Sequence, residues 1–292
     1  MPRLRIASLI LCTVAAPRVA RAQDWKAVDQ ALGRAGAMQP GDVYKFGFPR
    51  SDLHVTVGGV SIKPSLALGS WVAFKQGTDG QVTLMGDLVL TEHEVEPVMQ
   101  TLQAGGVEQT AVHNHLLGES PHVFYMHIMG HGDAATLAAS VHAALALTGT
   151  PPASAPVPAP ALALDTATLS KTLGFAGKVA GGVYQVGVAR LDTVQVDGMV
   201  VPPSMGVATA LNFQPTGEGK AAITGDFVLI GSEVNPVLRA LRSNGIEVTA
   251  LHGHMLSETP RLFFMHFWAH GDAGKLAKGL REALDHMNVK KS

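Results

Sequence analysis

The 292-residue chain carries 22 Lys and Arg against 23 Asp and Glu, and it is 47% hydrophobic and only 15% charged. No Lys/Arg cluster stands out, which argues against nucleic acid or an anionic membrane surface as partner and fits a compact globular protein with a sizeable core. The length suggests two domains of roughly 100–200 residues.

Residues 1–22, MPRLRIASLILCTVAAPRVARA, have Arg3 and Arg5, a short apolar run from Ile6 to Ala16, and Ala20-Arg21-Ala22 before Gln23. This is the pattern of a cleavable secretory signal, and the run is too short to stay as a membrane span. A periplasmic or secreted protein is therefore expected. The segment holds four of the 22 basic residues and no acid, so its removal leaves 18 basic residues against 23 acidic ones. It also holds Cys12, the single cysteine. The residues before Cys12 are Leu9-Ile10-Leu11, not the small residue that lipoprotein processing needs. A mature chain without cysteine has no disulfide and no thiolate ligand, so any metal site must use nitrogen and oxygen.

The rest of the chain is one unit written twice. Gly86–Ala138 and Gly225–Ala277 align without a gap at an offset of 139, with 27 of 53 positions identical. Upstream, Pro64-Ser65 matches Pro203-Ser204, and with one slip Val43-Tyr44, Gly47, Arg50 and Asp52 match Val183-Tyr184, Gly187, Arg190 and Asp192. Between the copies runs GTPPASAPVPAPALA, which reads as an extended linker. The expected organisation is a signal at 1–22, a first repeat at 23–148, a linker at 149–164 and a second repeat at 165–292. A period this long marks a duplicated domain, not a solenoid.

In chain order each copy begins with a short helix (DWKAVDQALG; DTATLSKTLG), followed by β-rich segments around VYKFGF, LHVTVGGV and SWVAF. A strand ending in Gly-Asp follows, in QVTLMGDLVL or AAITGDFVL. The next helix, EVEPVMQTLQAGG or EVNPVLRALRSNG, has its proline placed for the first turn and Gly106 or Gly245 as a stop signal. A strand (VEQTAVHNHLL; IEVTALHGHML), a four-residue turn (GESP; SETP) and another strand (HVFYMHIM; RLFFMHFW) come next. Asp133 or Asp272 then opens the last helix as its N-cap. The order strand–helix–strand–strand–helix predicts an α+β fold: two tandem ferredoxin-like α/β-sandwich repeats with antiparallel sheets, related by a pseudo-twofold axis.

Four histidines recur at matching places: His113, His115, His127 and His131, then His252, His254, His266 and His270. Side chains alternate along a strand, so one face of the first hairpin carries His113, His115, Val123, Tyr125 and His127. A hairpin turning about Glu119 puts His127 opposite Ala111 and diagonal to His113, roughly 7–8 Å away. A shift of two residues puts the pair directly opposite. Three same-face imidazoles per repeat are the usual nitrogen set for a divalent transition metal, with zinc favoured. His131 and His270 share the parity but lie at the strand ends. Glu119 and Glu258, in the turns beside these faces, are candidates for a fourth ligand or a general base.

Other shared polar residues have plainer readings. Thr91 with Glu94 forms a capping box, although Ile230 replaces the threonine while Glu233 is kept. Asp87 and Asp226 suit either a turn or a function. Arg50 with Asp52, and Arg190 with Asp192, read as a surface ion pair or turn. Met126 and Met265 fall on the apolar face and belong to the core.

The run VTALHGHMLSETPRLFFMHFWAHGD, preceded by GDFVLIGSEVNPVLRALRSNGIEV, resembles the LppY/LpqO family of exported bacterial proteins. The resemblance covers both repeats and implies export and duplication. Members that are mycobacterial lipoproteins would carry a lipidated cysteine, for which this chain has no equivalent. The family's function is unknown, so it implies no reaction. Three readings stay open: a metal-dependent hydrolase, a metal carrier, and a histidine-lined small-molecule or envelope interaction protein without metal. The expected partner is a metal ion or a small molecule, with no membrane span.

Overall fold

The computed structural model describes residues 23–153 and 161–290. The expected signal segment and the middle of the linker lie outside the described residues. The first repeat runs α1 (Trp25–Leu32), β1 (Ala37–Gln39), β2 (Val43–Pro49), β3 (Thr56–Val57), β4 (Val60–Ser61), β5 (Gly69–Gln76), β6 (Val82–Thr91), α2 (Glu92–Ala104), β7 (Glu108–His113), β8 (Glu119–Ser120), β9 (Val123–Gly132) and α3 (Ala134–Leu145). The second runs α4 (Thr166–Leu173), β10 (Lys178–Ala180), β11 (Val183–Ala189), β12 (Gln195–Val196), β13 (Met199–Val200), β14 (Ala208–Gly217), β15 (Lys220–Ile230), α5 (Gly231–Ser243), β16 (Glu247–His252), β17 (Leu262–Asp272) and α6 (Ala273–Leu284). The fold is mixed α/β with antiparallel sheets.

Each repeat builds one six-stranded antiparallel sheet, in the order β1-β2-β5-β6-β9-β7 or β10-β11-β14-β15-β17-β16. Helices cover one face of each sheet. In the first repeat Phe46, Phe74, Leu84, Leu88, Met126 and Ile128 meet Val28, Val98 and Leu137 from the helices. Met126, and Met265 in the second repeat, are core residues. The other two sheet faces turn toward each other, so the layers run helix, sheet, sheet, helix. Strand β6 is buried along almost its whole length because both of its faces are covered.

The segment between β2 and β5 leaves the six-stranded sheet and packs between Val89, Leu116, Val123 and Tyr125 of its own repeat and the facing surface of the other. Val55, Val57, Ile62, Leu66 and Leu68 cluster with Val183 and Ala222. Reciprocally, Val194, Val196, Val201, Met205 and Val207 cluster with Val43, Ala73 and Met85. These arms bury aliphatic side chains between the repeats, at about 1.5–3 kcal/mol for each one fully buried.

The helix starts obey local chemistry. Asp133 and Asp272 accept from the backbone N–H of Thr136 and Lys275 at 2.9 and 2.8 Å. Glu94 and Glu233 reach back to the N–H groups of Thr91 and Ile230 at 2.8 and 3.0 Å. That reach-back starts α2 and α5 earlier than the sequence suggests, so Pro97 and Pro236 fall in the second helical turn, not the first. Gly106 and Gly245 do take the left-handed conformation after the helix, at φ 74° and 69°.

The Arg–Asp pairs are corrected from surface to interior. Arg50 is 1% exposed and donates to Asp52, Glu94 and the carbonyl of Val89. Arg190 makes the same set with Asp192, Glu233 and Val228. In each repeat this arginine ties the end of β2 or β11 to the start of the following long helix.

Candidate metal centre between the repeats

Six of the eight recurring histidines meet where the two sheets face each other. His127 on β9 and His266 on β17 stand mid-strand and are buried. Each ring is fixed from behind: His127 Nδ1 donates to the carbonyl of Gly86 at 3.3 Å and His266 Nδ1 to that of Gly225 at 3.0 Å. No side chain fits at those glycines, since an added Cβ would fall 2.8 Å from the carbonyl oxygen of Trp71 at Gly86 and against that of Ala210 at Gly225. The Gly-Asp dipeptide therefore places a carbonyl behind one histidine and a carboxylate beside it. Asp87 pairs with His127 across β6 and β9, and Asp226 with His266 across β15 and β17.

His113 and His252 end β7 and β16 and stack on each other, with ring centroids 3.7 Å apart. Of the two expected registers the first is found, with Ala111 opposite His127 and His113 opposite Tyr125. His115 and His254, expected on the same strands, instead lie in the loops that follow. The chain leaves the sheet at Asn114 and Gly253, and the segment goes on to pair with the arm of its own repeat, Ser120 with Thr56 and Thr259 with Gln195. There His115 lies on Tyr125 at 3.4 Å and next to His266 at 3.9 Å. His254 lies on Phe264 at 3.3 Å and next to His127 at 3.6 Å. Thr249 donates to the carbonyl of His115 at 2.7 Å and Thr110 to that of His254 at 2.6 Å, so each loop is pinned by the opposite repeat.

The ligand groupings accordingly cross the repeats. The expected sets of His113, His115 and His127, and of His252, His254 and His266, are replaced by mixed ones. His113, His252 and His266 form one group, and His127, His252 and His254 another, each with ligand atoms within 4.8 Å of one another. Burial holds these imidazoles neutral, the ligating form. Desolvation pushes His252 down to about 4 and His266 to about 3. It holds His113, His115, His127 and His254 well below the usual histidine range, helped by the neighbouring rings.

The tautomers leave lone pairs in conflict. His252 Nδ1 donates to the carbonyl of Gly253 at 3.0 Å, as His266 Nδ1 does to Gly225, so both Nε2 atoms are unprotonated in the neutral rings. Yet these two Nε2 atoms face each other at 2.9 Å. The Nε2 atoms of His127 and His254 are buried without a hydrogen-bond partner. Buried nitrogens in this state suit a cation that accepts electron pairs.

Family-model matching finds the Domain of Unknown Function (DUF1259) at residues 26–147 and again at 167–286. The chain belongs to the DUF1259 family, with two copies of its domain. No curated protein matches the chain. Among solved structures, it is similar to the trimeric bacterial microcompartment shell protein PduB at 14% identity, covering 87% of this chain and 90% of that one with a TM-score of 0.23. It is also similar to EtuB from Clostridium kluyveri, at 11% identity, 86% and 88% coverage and a TM-score of 0.21. At TM-scores this low, neither likeness bears on the fold, assembly or function of the DUF1259 chain.

A cavity of about 740 Å³ opens between the two DUF1259 domains onto the histidines. His115, His127, His254 and His266 line it, with Asp87, Asp226 and Lys45. Burial, then the neighbouring Asp226, pushes Asp87 up to about 8; burial pushes Asp226 up to about 7. Burial, with Lys178 nearby, lowers Lys45 to about 8. Asp87 Oδ1 is buried with no partner, and Oδ2 lies 3.6 Å from His115 Nε2. These carboxylates sit mid-strand and face the other repeat; they do not form turns. The Gly-Asp repeat was their one signal in the sequence.

Four expected site residues lie elsewhere. His131 is exposed and bonded to Asp79 at 2.9 Å, and His270 is exposed and bonded to Thr216 at 2.9 Å. Both have passed beyond the region where the sheets face each other. Glu119 and Glu258 are buried but serve their own hairpins. Glu119 accepts from Val123 N–H and pairs with His122, while Glu258 accepts from Leu262 N–H and Arg261. Neither lines the cavity, so the turn carboxylates expected as bases or fourth ligands are not with the imidazoles. No helix among the described residues is long and apolar enough to cross a membrane.

Proposed function

We propose that this is an exported protein that binds a divalent transition metal between its repeats and presents the ion to a small polar molecule entering the cavity. The observation that carries the reading is the opposed pair of unprotonated Nε2 atoms on His252 and His266 at 2.9 Å. Without a cation to take these lone pairs, neutral rings held in this tautomer place lone pair against lone pair. Zinc is favoured because an all-imidazole set with one open position is its ordinary catalytic environment.

The cavity separates this reading from a purely structural site, which would be closed by a fourth protein ligand. Asp87 and Asp226 take the place of Glu119 and Glu258 as carboxylates able to hold or move a proton at the ion. Hydrolysis follows from that arrangement if Asp87→Asn with Asp226→Asn removes a turnover that the native protein shows. A carrier follows if no turnover exists and metal exchange is fast. Export rests on the character of residues 1–22, and the resemblance to LppY/LpqO proteins agrees with it. We read β6, β9 and β7 with α2 and α3 as a ferredoxin-like unit in which β5 fills the fourth strand position.

The test is elemental analysis of protein purified without a histidine tag, beside His252→Ala, which removes the residue common to both groupings. The native protein should carry zinc or a neighbouring divalent ion, and the variant should carry clearly less. A metal-free native protein that also fails to take up zinc on dialysis would overturn the proposal.

A further inference from the structure

The two compact histidine groupings share His252, and that sharing cannot persist when both are filled. His252 Nδ1 is committed to the carbonyl of Gly253, so its ring offers one lone pair. If His252 serves His127 and His254, then His113 and His266 are left over. The duplication says what completes them. Applying the 139-residue offset turns His127, His252 and His254 into His266, His113 and His115.

The ring separations in that second set match those in the first. The His113–His115 ring separation is 5.0 Å against 5.1 Å for His252–His254. His113–His266 is 5.3 Å against 5.6 Å for His127–His252. His115–His266 is 3.9 Å against 3.6 Å for His127–His254. His113 Nε2 and His115 Nε2 already face each other at 3.0 Å. We infer that the centre holds two divalent transition-metal ions, one on His127, His252 and His254 and the other on His113, His115 and His266.

The inference deepens the metal-binding reading and rests on it. Its charges are consistent. Two divalent ions bring four positive charges into the interior, and Asp87 and Asp226 stand beside His127 and His266 to offset part of them. Asp87 Oδ1 has no other partner among the described residues. Each ion then has three imidazoles from both repeats, a nearby carboxylate oxygen and a position facing the cavity. Two such ions would together attract a small oxyanion entering the cavity.

The experiment is the equilibrium metal-to-chain ratio of untagged protein, by cobalt(II) titration and by elemental analysis after dialysis against zinc. Two ions per native chain are expected, falling to one in His115→Ala and to one in His254→Ala. His131→Ala with His270→Ala, outside the centre, should keep both ions. A native ratio of one overturns the second ion and leaves the metal-binding reading standing. A native ratio of zero overturns both. A ratio of two that drops in the His131/His270 variant would place the extra ion on the surface and overturn the inference. Should either alanine variant fail to fold, the native titration decides alone, by a break at two equivalents or at one.

Discussion

Thr249 Oγ1 donates to the backbone carbonyl of His115 at 2.7 Å, across the boundary between the repeats. Its counterpart Thr110 does the same for His254. Each histidine loop is thus positioned by a β-strand of the other copy, and the site exists only when the repeats are docked. Thr249→Val should therefore cost only about 1 kcal/mol of stability, the worth of one hydrogen bond. Metal affinity should fall roughly 10–100-fold, as when other groups that orient a ligand are removed. Competition with a chromophoric chelator measures the second effect; unchanged affinity would mean the loop is held by other contacts.

Acid should both release metal and weaken the metal-free protein. The six clustered imidazoles are held below their unfolded value of about 6.5, so between the folded and unfolded values the unfolded chain binds more protons. Their contribution is fully present above about 6.5 and declines as pH falls toward the folded values, about 4 for His252 and about 3 for His266. The melting temperature of metal-free protein should drop steadily from pH 7 to pH 4.5. Bound metal should be lost over the same interval because protonated imidazole cannot ligate. Equal metal content at pH 5 and pH 7.5 would rule out histidine ligation.

Asp87→Asn should act with opposite signs on the two forms. In metal-free protein it removes a negative charge that burial and the neighbouring Asp226 disfavour, so stability at pH 8 should rise, by on the order of 1–3 kcal/mol. In metal-loaded protein it removes compensating charge, and the gain should shrink or reverse. Calorimetry with and without zinc gives both values.

Arg50→Met should destabilise the protein by about 3–5 kcal/mol, because Glu94 and Asp52 lose the cation they share. The metal-to-chain ratio should not change, since none of the three lines the cavity. A change in that ratio would show that the arginine cluster and the site are coupled.

Much of the fold could be read from local chemistry. The Asp caps set the starts of α3 and α6, and alternation put Met126 and Ile128 on the helix side with Tyr125 and His127 opposite. Pairing within the hairpin was legible as well, with His127 opposite Ala111. What escaped was set by distant parts of the chain. Nothing near His115 says that it leaves the strand, because the threonine that holds its loop lies 134 residues away. Two copies with the same histidines look alike whether each keeps its own or trades one with its twin. Arg50 read as a surface residue because its partner Glu94 is 44 positions on. Asp87 gained its meaning only from strand pairing across β6 and β9, which no short window contains.

The most direct test of a metal shared between repeats is anomalous diffraction at the zinc edge from crystals of untagged, zinc-loaded protein. The account predicts peaks within bonding distance of Nε2 atoms from both repeats, with His127 and His254 on the same ion. A peak ligated by only one repeat's histidines, or no peak among these six imidazoles, would contradict it.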